Sequence, residues 1–159
     1  MTFRHVGLLA IVVAGVLTLS AAAQTEVVHY AADTVLLDQV LREMEISYET
    51  TWDDAGKPVW TFTRSGILLT VEAYDETTQG KYASLLFYAS WAVEGETSLS
   101  GINHWNRTSR FGRAYVDEMG DPAIELDLLV SGGVTAQTIH EYIDVFVATV
   151  SDLGVALGL

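Results

Sequence analysis

Arg107, Arg110 and Arg113 fall within seven positions of one another, interleaved with Trp105, Phe111 and Tyr115, in a chain with eight basic residues against twenty-one acidic ones. Guanidinium groups grip oxyanions in forked pairs and stack on aromatic rings, so this stretch has the residue types to hold a carboxylate, a phosphate or an acidic peptide. The candidate binding residues are Trp105, Asn106, Arg107, Arg110, Phe111 and Arg113. A competing arrangement is internal, with Asp117, Glu125 or Asp127 on neighbouring segments neutralising the arginines and fixing a helix onto a hairpin. Interspersed charge of that kind is normal on a domain surface, which favours the internal arrangement.

Other residue groups point more weakly to chemistry. His140-Glu141-Tyr142-Ile143-Asp144 places Asp where the second histidine of a zinc-protease H-E-x-x-H motif would stand, and no third ligand is suggested. A catalytic zinc wants three protein ligands, so this segment reads as the solvated side of a helix. The carboxylate pairs Asp53-Asp54, Asp75-Glu76 and Asp117-Glu118 lack the ligand order of a calcium loop and read as turn residues. No G-x-S-x-G occurs, and neither His29 nor His104 sits beside a nucleophile in a recognised pattern. A Ser-His-Asp triad can still assemble from distant positions, and such a hydrolase would need a His within hydrogen-bond reach of a Ser or carboxylate in a cleft. No catalytic residue, metal or cofactor is expected.

The elements that must position these residues follow from apolar spacing. Asp33 caps a helix whose Leu36, Leu37, Val40, Leu41 and Met44 share one face. Glu45 to Thr50 is a weak strand candidate; stronger ones are Val59 to Arg64, Ile67 to Tyr74 and Tyr82 to Val93, where apolar and polar residues alternate. One dry and one wet face suit antiparallel strands covered on a single side. Ser98 or Ser100 starts a short helix through Ile102 and Trp105, and a further hairpin joins Phe111 to Asp117 with Ala123 to Val130. Thr135 caps a long final helix with a stripe of Ile139, Tyr142, Ile143, Phe146, Val147 and Val150. The predicted class is α+β, an antiparallel five-stranded sheet with helices in the order α-β-β-β-α-β-β-α.

The first twenty-three residues read differently from the rest. Arg4 and His5 precede an apolar stretch from Val6 to Leu19, and Ala21-Ala22-Ala23 supply an A-x-A cleavage pattern, so the segment 1–23 is expected to be a secretory signal and 24–159 one domain. The apolar core is shorter than a membrane-spanning helix needs, which favours cleavage over a retained anchor. The expected location is the periplasm or the exterior of a bacterium. Without Arg4 the mature chain keeps seven basic residues against twenty-one acids, a net charge of −14. That charge repels phosphate backbones and anionic headgroups, so neither nucleic acid nor, after cleavage, membrane is an expected partner. There is no Cys, hence no disulfide or thiolate chemistry.

The stretch from Ile102 through Asn103-His104-Trp105-Asn106-Arg107-Thr108-Ser109-Arg110-Phe111-Gly112-Arg113 to Tyr115 resembles the YbjN family of bacterial sensory transduction regulators. The similarity continues through Asp117, Gly120-Asp121-Pro122, Glu125 to Leu128 and Gly132-Gly133-Val134, and earlier through Leu41 to Tyr48 and Leu85 to Ala89. The resemblance implies a fold similar to type III secretion chaperones, frequent dimerisation and no enzymatic activity. Together with the expected leader, in which this chain departs from many members of the family, it makes a non-catalytic exported protein that binds a protein or peptide partner the first functional expectation, in a chaperone-like, regulatory or sensory role. The alternative is a periplasmic sensor or carrier of a small anionic ligand, which requires a concave pocket holding at least two unpaired guanidiniums.

Overall fold

The computed structural model describes residues 26–159, and the expected signal segment with its cleavage point before Gln24 lies outside the described residues. A two-residue strand β1 (Val28–His29) leads into helix α1 (Thr34–Glu43). Four strands follow, β2 (Tyr48–Trp52), β3 (Pro58–Arg64), β4 (Ile67–Thr78) and β5 (Lys81–Ser90). Helix α2 (Leu99–Thr108) precedes β6 (Arg113–Val116) and β7 (Pro122–Leu129), and a short β8 (Val134–Thr135) opens into α3 (Ala136–Leu157).

The main sheet has six strands in the order β2-β3-β4-β5-β7-β6, every neighbouring pair antiparallel. This corrects the expected five. The added strand is β2, which the sequence pattern marks only faintly because none of its residues is fully buried. An edge strand has neighbours on one side only, so its alternation is blurred. A second departure is the small ladder that ties Val28 to Thr135 and His29 to Val134, where the sequence reads a lead-in and a loop.

Local expectations hold at the helix ends. The Asp33 carboxylate accepts from the Leu36 N–H at 2.8 Å, Ser98 Oγ from Gly101 N–H at 3.1 Å, and Thr135 Oγ1 from Thr138 N–H at 3.1 Å. Each satisfies a helix N–H that has no partner inside its own helix. Asp33 also pairs with Lys81 at the start of β5. Burial pushes the Asp33 carboxyl upward, but the Lys81 ammonium and the Leu36 N–H outweigh it and hold the group below its usual range. Asp33→Ala is expected to lower stability by about 1 kcal/mol in urea unfolding. Because the folded carboxyl is the stronger acid, that contribution should be present above the unfolded value and fade as pH falls through the folded one.

The core lies between one sheet face and the helices. Trp60, Phe62, Leu69, Val71, Leu85, Phe87, Ile124 and Leu128 point inward, at most 5% exposed, against Leu37, Val40 and Leu41 of α1 and Ile139, Ile143, Phe146 and Val150 of α3. The Phe87 ring meets Phe146 at 5.9 Å and Tyr142 at 6.3 Å between centroids. Alternate residues of the same strands face away from the helices and stay partly or fully exposed, Val59, Thr61, Glu72, Leu86, Tyr88 and Glu125 among them.

Candidate functional site

The stretch from Trp105 to Arg113 joins α2 to the sheet edge β6, and most of it is structural. Trp105 faces inward and is 8% exposed, part of the hydrophobic core with Ile102. Asn106, one residue on, turns to the sheet: its Nδ2 donates to the Ala114 carbonyl at 2.8 Å and its Oδ1 accepts from the Ala114 N–H at 2.9 Å. One side-chain amide thus replaces a neighbouring strand at the outer edge of β6. Asn106→Ala would leave both backbone groups unpaired, and an equilibrium unfolding curve should show a loss of about 2 kcal/mol.

The three arginines do not converge. Arg113 reaches along the sheet to Glu125, directly opposite on β7, and forms an ion pair with it. Tyr115 donates its hydroxyl to the other Glu125 oxygen at 2.6 Å. The Glu125 hydrogen bond strengthens the Arg113 base, while burial first and then Glu125 push the Tyr115 phenol upward. This is the internal arrangement, with Glu125 the partner among the three acids considered. Arg107 lies 3.3 Å from His104 Nδ1 on the same helix. Arg110 sits over the Phe111 ring at 5.2 Å, beside a shallow depression of about 160 Å³ lined by Trp105, Ser109, Thr149 and Asp152. No described cavity holds two of the three guanidiniums, and of the six candidates Arg107, Arg110 and Phe111 remain at the surface without a carboxylate partner among the described residues.

Trp105 raises a separate point, because its buried indole N–H has no hydrogen-bond partner among the described residues. An orphaned buried donor costs about 1–3 kcal/mol, comparable to the apolar area a smaller ring would give up. Trp105→Phe is therefore expected to leave stability within about 1 kcal/mol of the parent in thermal or chemical unfolding.

The surface that sequence reading underweighted is the sheet face turned away from the helices. Across it run Val59, Glu72, Leu86 and Asp127 in one row and Thr61, Thr70, Tyr88, Glu125 and Arg113 in the next. Tyr74 donates to Glu72 Oε2 at 2.8 Å and lies under the Lys57 ammonium at 3.9 Å. Tyrosines and carboxylates are thus locked to one another in fixed orientations. The strand alternation contains this face, but nothing in a linear sequence says that no helix will cover it.

The Glu72 hydrogen bond, with burial behind it, pushes the Tyr74 phenol from 10.0 up to about 12. The unfolded chain would release that proton first, so the contribution is intact below pH 10, about the unfolded value, and is lost as pH rises through about 12. A phenolate absorbance titration is expected to show a late component, shared with Tyr115, that Tyr74→Phe reduces by one tyrosine.

The remaining chemical candidates settle into structural roles. His140 Nε2 is 3.3 Å from Asp144, which Arg64 also holds through Nε and Nη2 at 3.2 and 3.0 Å, tying α3 to the end of β3. Asp53 Oδ1 accepts from the N–H groups of Ala55 and Lys57, and Asp117 Oδ1 from those of Met119 and Asp121, so both carboxylates anchor hairpin turns. Among the described residues no group of three or more His, Asp or Glu is placed to hold a metal ion. No helix there is long and apolar enough to cross a membrane.

An antiparallel sheet with helices on one side and its other face bare defines an α+β fold. The crystal structure of the Yersinia pestis type III secretion chaperone SycH in complex with a stable fragment of YscM2 aligns with a TM-score of 0.54 at 13% identity, over 76% of this chain and 98% of that one. At that identity the likeness is one of fold. Residues 33–158 match the YbjN family, described as “Putative bacterial sensory transduction regulator”, and the chain belongs to that family. No curated protein matches the sequence.

Proposed function

We propose that this chain is an exported, non-catalytic module that binds a protein partner on the bare face of its sheet. The observation that carries the reading is that face itself: Val59, Leu86, Tyr74, Tyr88 and Tyr115 stand beside Glu72, Glu125 and Asp127 with no helix above them. Tyrosine gives a large contact area with few torsions to freeze, and the hydrogen bonds to Glu72 and Glu125 already hold two of the rings in place. The carboxylates and the mature chain's net charge of −14 select a partner segment that presents basic residues among apolar ones. The structure of SycH with a fragment of YscM2 supports the reading by analogy of fold, since that protein holds a piece of another. Export rests on the leader at residues 1–23, and amino-terminal sequencing of the protein from a periplasmic fraction should begin at Gln24.

The test compares capture of partners from periplasmic extract by the protein, by a Tyr74→Ala/Tyr88→Ala variant and by an Arg107→Ala/Arg110→Ala variant, each shown to be folded. Loss of the captured protein only in the tyrosine variant is expected. Loss only in the arginine variant moves the site to the exposed Arg107–Phe111 surface. Capture of nothing by any of them, with binding of small carboxylates that the arginine variant abolishes, replaces the reading by that of a small-anion carrier.

A further inference from the structure

We infer that the depression between the end of α2 and the C-terminal half of α3 binds a small free α-amino acid, its carboxylate on Arg110 and the Trp105 N–H and its ammonium on Asp152. The depression, about 160 Å³, is lined by Trp105, Ser109, Arg110, Phe111, Thr149 and Asp152. At roughly 30 Å³ for each water-sized group it has room for about five of them, the size of glycine and little more. It lies on the helix side of the sheet, away from the bare face, so the inference stands without partner binding there.

The Trp105 indole nitrogen points to a ligand. Among the described residues it is the one buried side-chain polar atom without a hydrogen-bond partner, and the residue is only 8% exposed. The ring fills the core, and its N–H is left over. Buried donors in folded proteins are almost always paired, so an unpaired one beside an opening marks the place of an acceptor from outside the chain. An indole N–H only donates, which fixes that acceptor as a group such as a carboxylate oxygen.

The charges around the opening narrow the choice. Arg110 and Asp152 line the same small depression, yet neither has an ion-pair partner among the described residues. The Arg110 guanidinium rests instead on the Phe111 ring at 5.2 Å, a contact that holds its charge at the rim. A plain anion would meet Asp152 as a like charge, and a plain amine would meet Arg110 in the same way. An α-amino acid carries both charges on one carbon and answers both groups, with one carboxylate oxygen on the guanidinium and the other on the indole N–H. The broader depression of about 890 Å³ beside β2 offers no such set, because its Arg64 already donates to Asp144 and no orphaned donor lines it.

Proton–nitrogen correlation spectra of the 15N-labelled protein test the site directly. Four tryptophans give four indole N–H peaks, and Trp105→Phe identifies the one in question. Titration with glycine or L-alanine is expected to move that peak downfield and to saturation, leaving those of Trp52, Trp60 and Trp91 in place. Arg110→Gln and Asp152→Asn, both at the surface, should each weaken binding by about tenfold or more, the usual loss for a hydrogen bond to a charged group. Acetate should bind at least about tenfold more weakly than glycine, and methylamine should leave the peak unmoved. A Trp105 peak that stays in place with both amino acids, a response to acetate as strong as to glycine, or an unchanged titration in Arg110→Gln overturns the proposal. If Trp105→Phe fails to fold, the two surface variants decide alone, because the indole peak that moves in the parent must lose its response in both.

Discussion

Replacing Trp60 by alanine is expected to remove about 3–5 kcal/mol of stability, the range for truncating a large buried aromatic. Trp60 is wholly buried at the middle of β3, pairs with Val71 across to β4, and is among the largest side chains in the core. Its indole N–H also donates to Asp38 on α1 at 3.1 Å, so the same residue fills the space under the helix and fastens the helix to the sheet. Truncation leaves both a void and a carboxylate that has lost a donor. A single domain has about 5–15 kcal/mol in hand, so much of the folded population is at risk. Differential scanning calorimetry should place the midpoint lower by roughly 10–20 °C. A shift below about 1 kcal/mol would mean that α1 can settle into the space, contradicting the close packing described here.

Gly112→Ala is expected to cost about 2–5 kcal/mol, although only one methyl group is added. Two separate penalties combine. Gly112 has φ +76, a left-handed conformation that strains a side chain by roughly 1–2 kcal/mol. A Cβ there would also fall 2.9 Å from Ile124 Cδ1 and 3.2 Å from Thr149 Cγ2, and Ile124 is wholly buried. Overpacking of that kind adds roughly 1–3 kcal/mol. Gly56, by contrast, has a similar φ of +77 and nothing within 4 Å of its Cβ position, so Gly56→Ala should pay only the conformational part. The difference between the two variants in urea unfolding isolates the packing contribution. Equal losses would show that Ile124 and Thr149 move aside.

Gly112 helps to recast the stretch that resembled a binding site. Trp105, Asn106 and Gly112, three of its most distinctive positions, carry structure: one fills the core, one closes the β6 edge and one lets the chain pass over Ile124. A segment can therefore mark a family through its packing demands rather than through a ligand. The arginines among them looked like a cluster because they are close along the chain. In the folded protein Arg107 stays on α2, Arg110 covers Phe111 and Arg113 crosses to Glu125.

Much of the fold is legible in the sequence. The caps Asp33 and Thr135, the buried faces of α1 and α3, and the alternating strands from Val59 onward can all be read from residues within a few positions of one another, whereas the structure chooses Ser98 over Ser100 as the cap of α2. Strand β2 was faint because an edge strand has one neighbour and little burial, and the β1–β8 ladder was missed because its partners are about a hundred residues apart. Glu125 as the anchor of both Arg113 and Tyr115 was one of three acids that sequence alone could not separate.

What the sequence by itself determined is the local order: helix faces with a period of 3.6, strand faces with a period of two, caps and turns, all of them interactions between near neighbours along the chain. Only the tertiary structure decided which strand would lie at an edge, which face would go uncovered and which carboxylate each arginine would meet. Those outcomes depend on the order of strands in the sheet and on hydrogen-bond parity carried from one ladder to the next, and both are properties of pairing between distant segments.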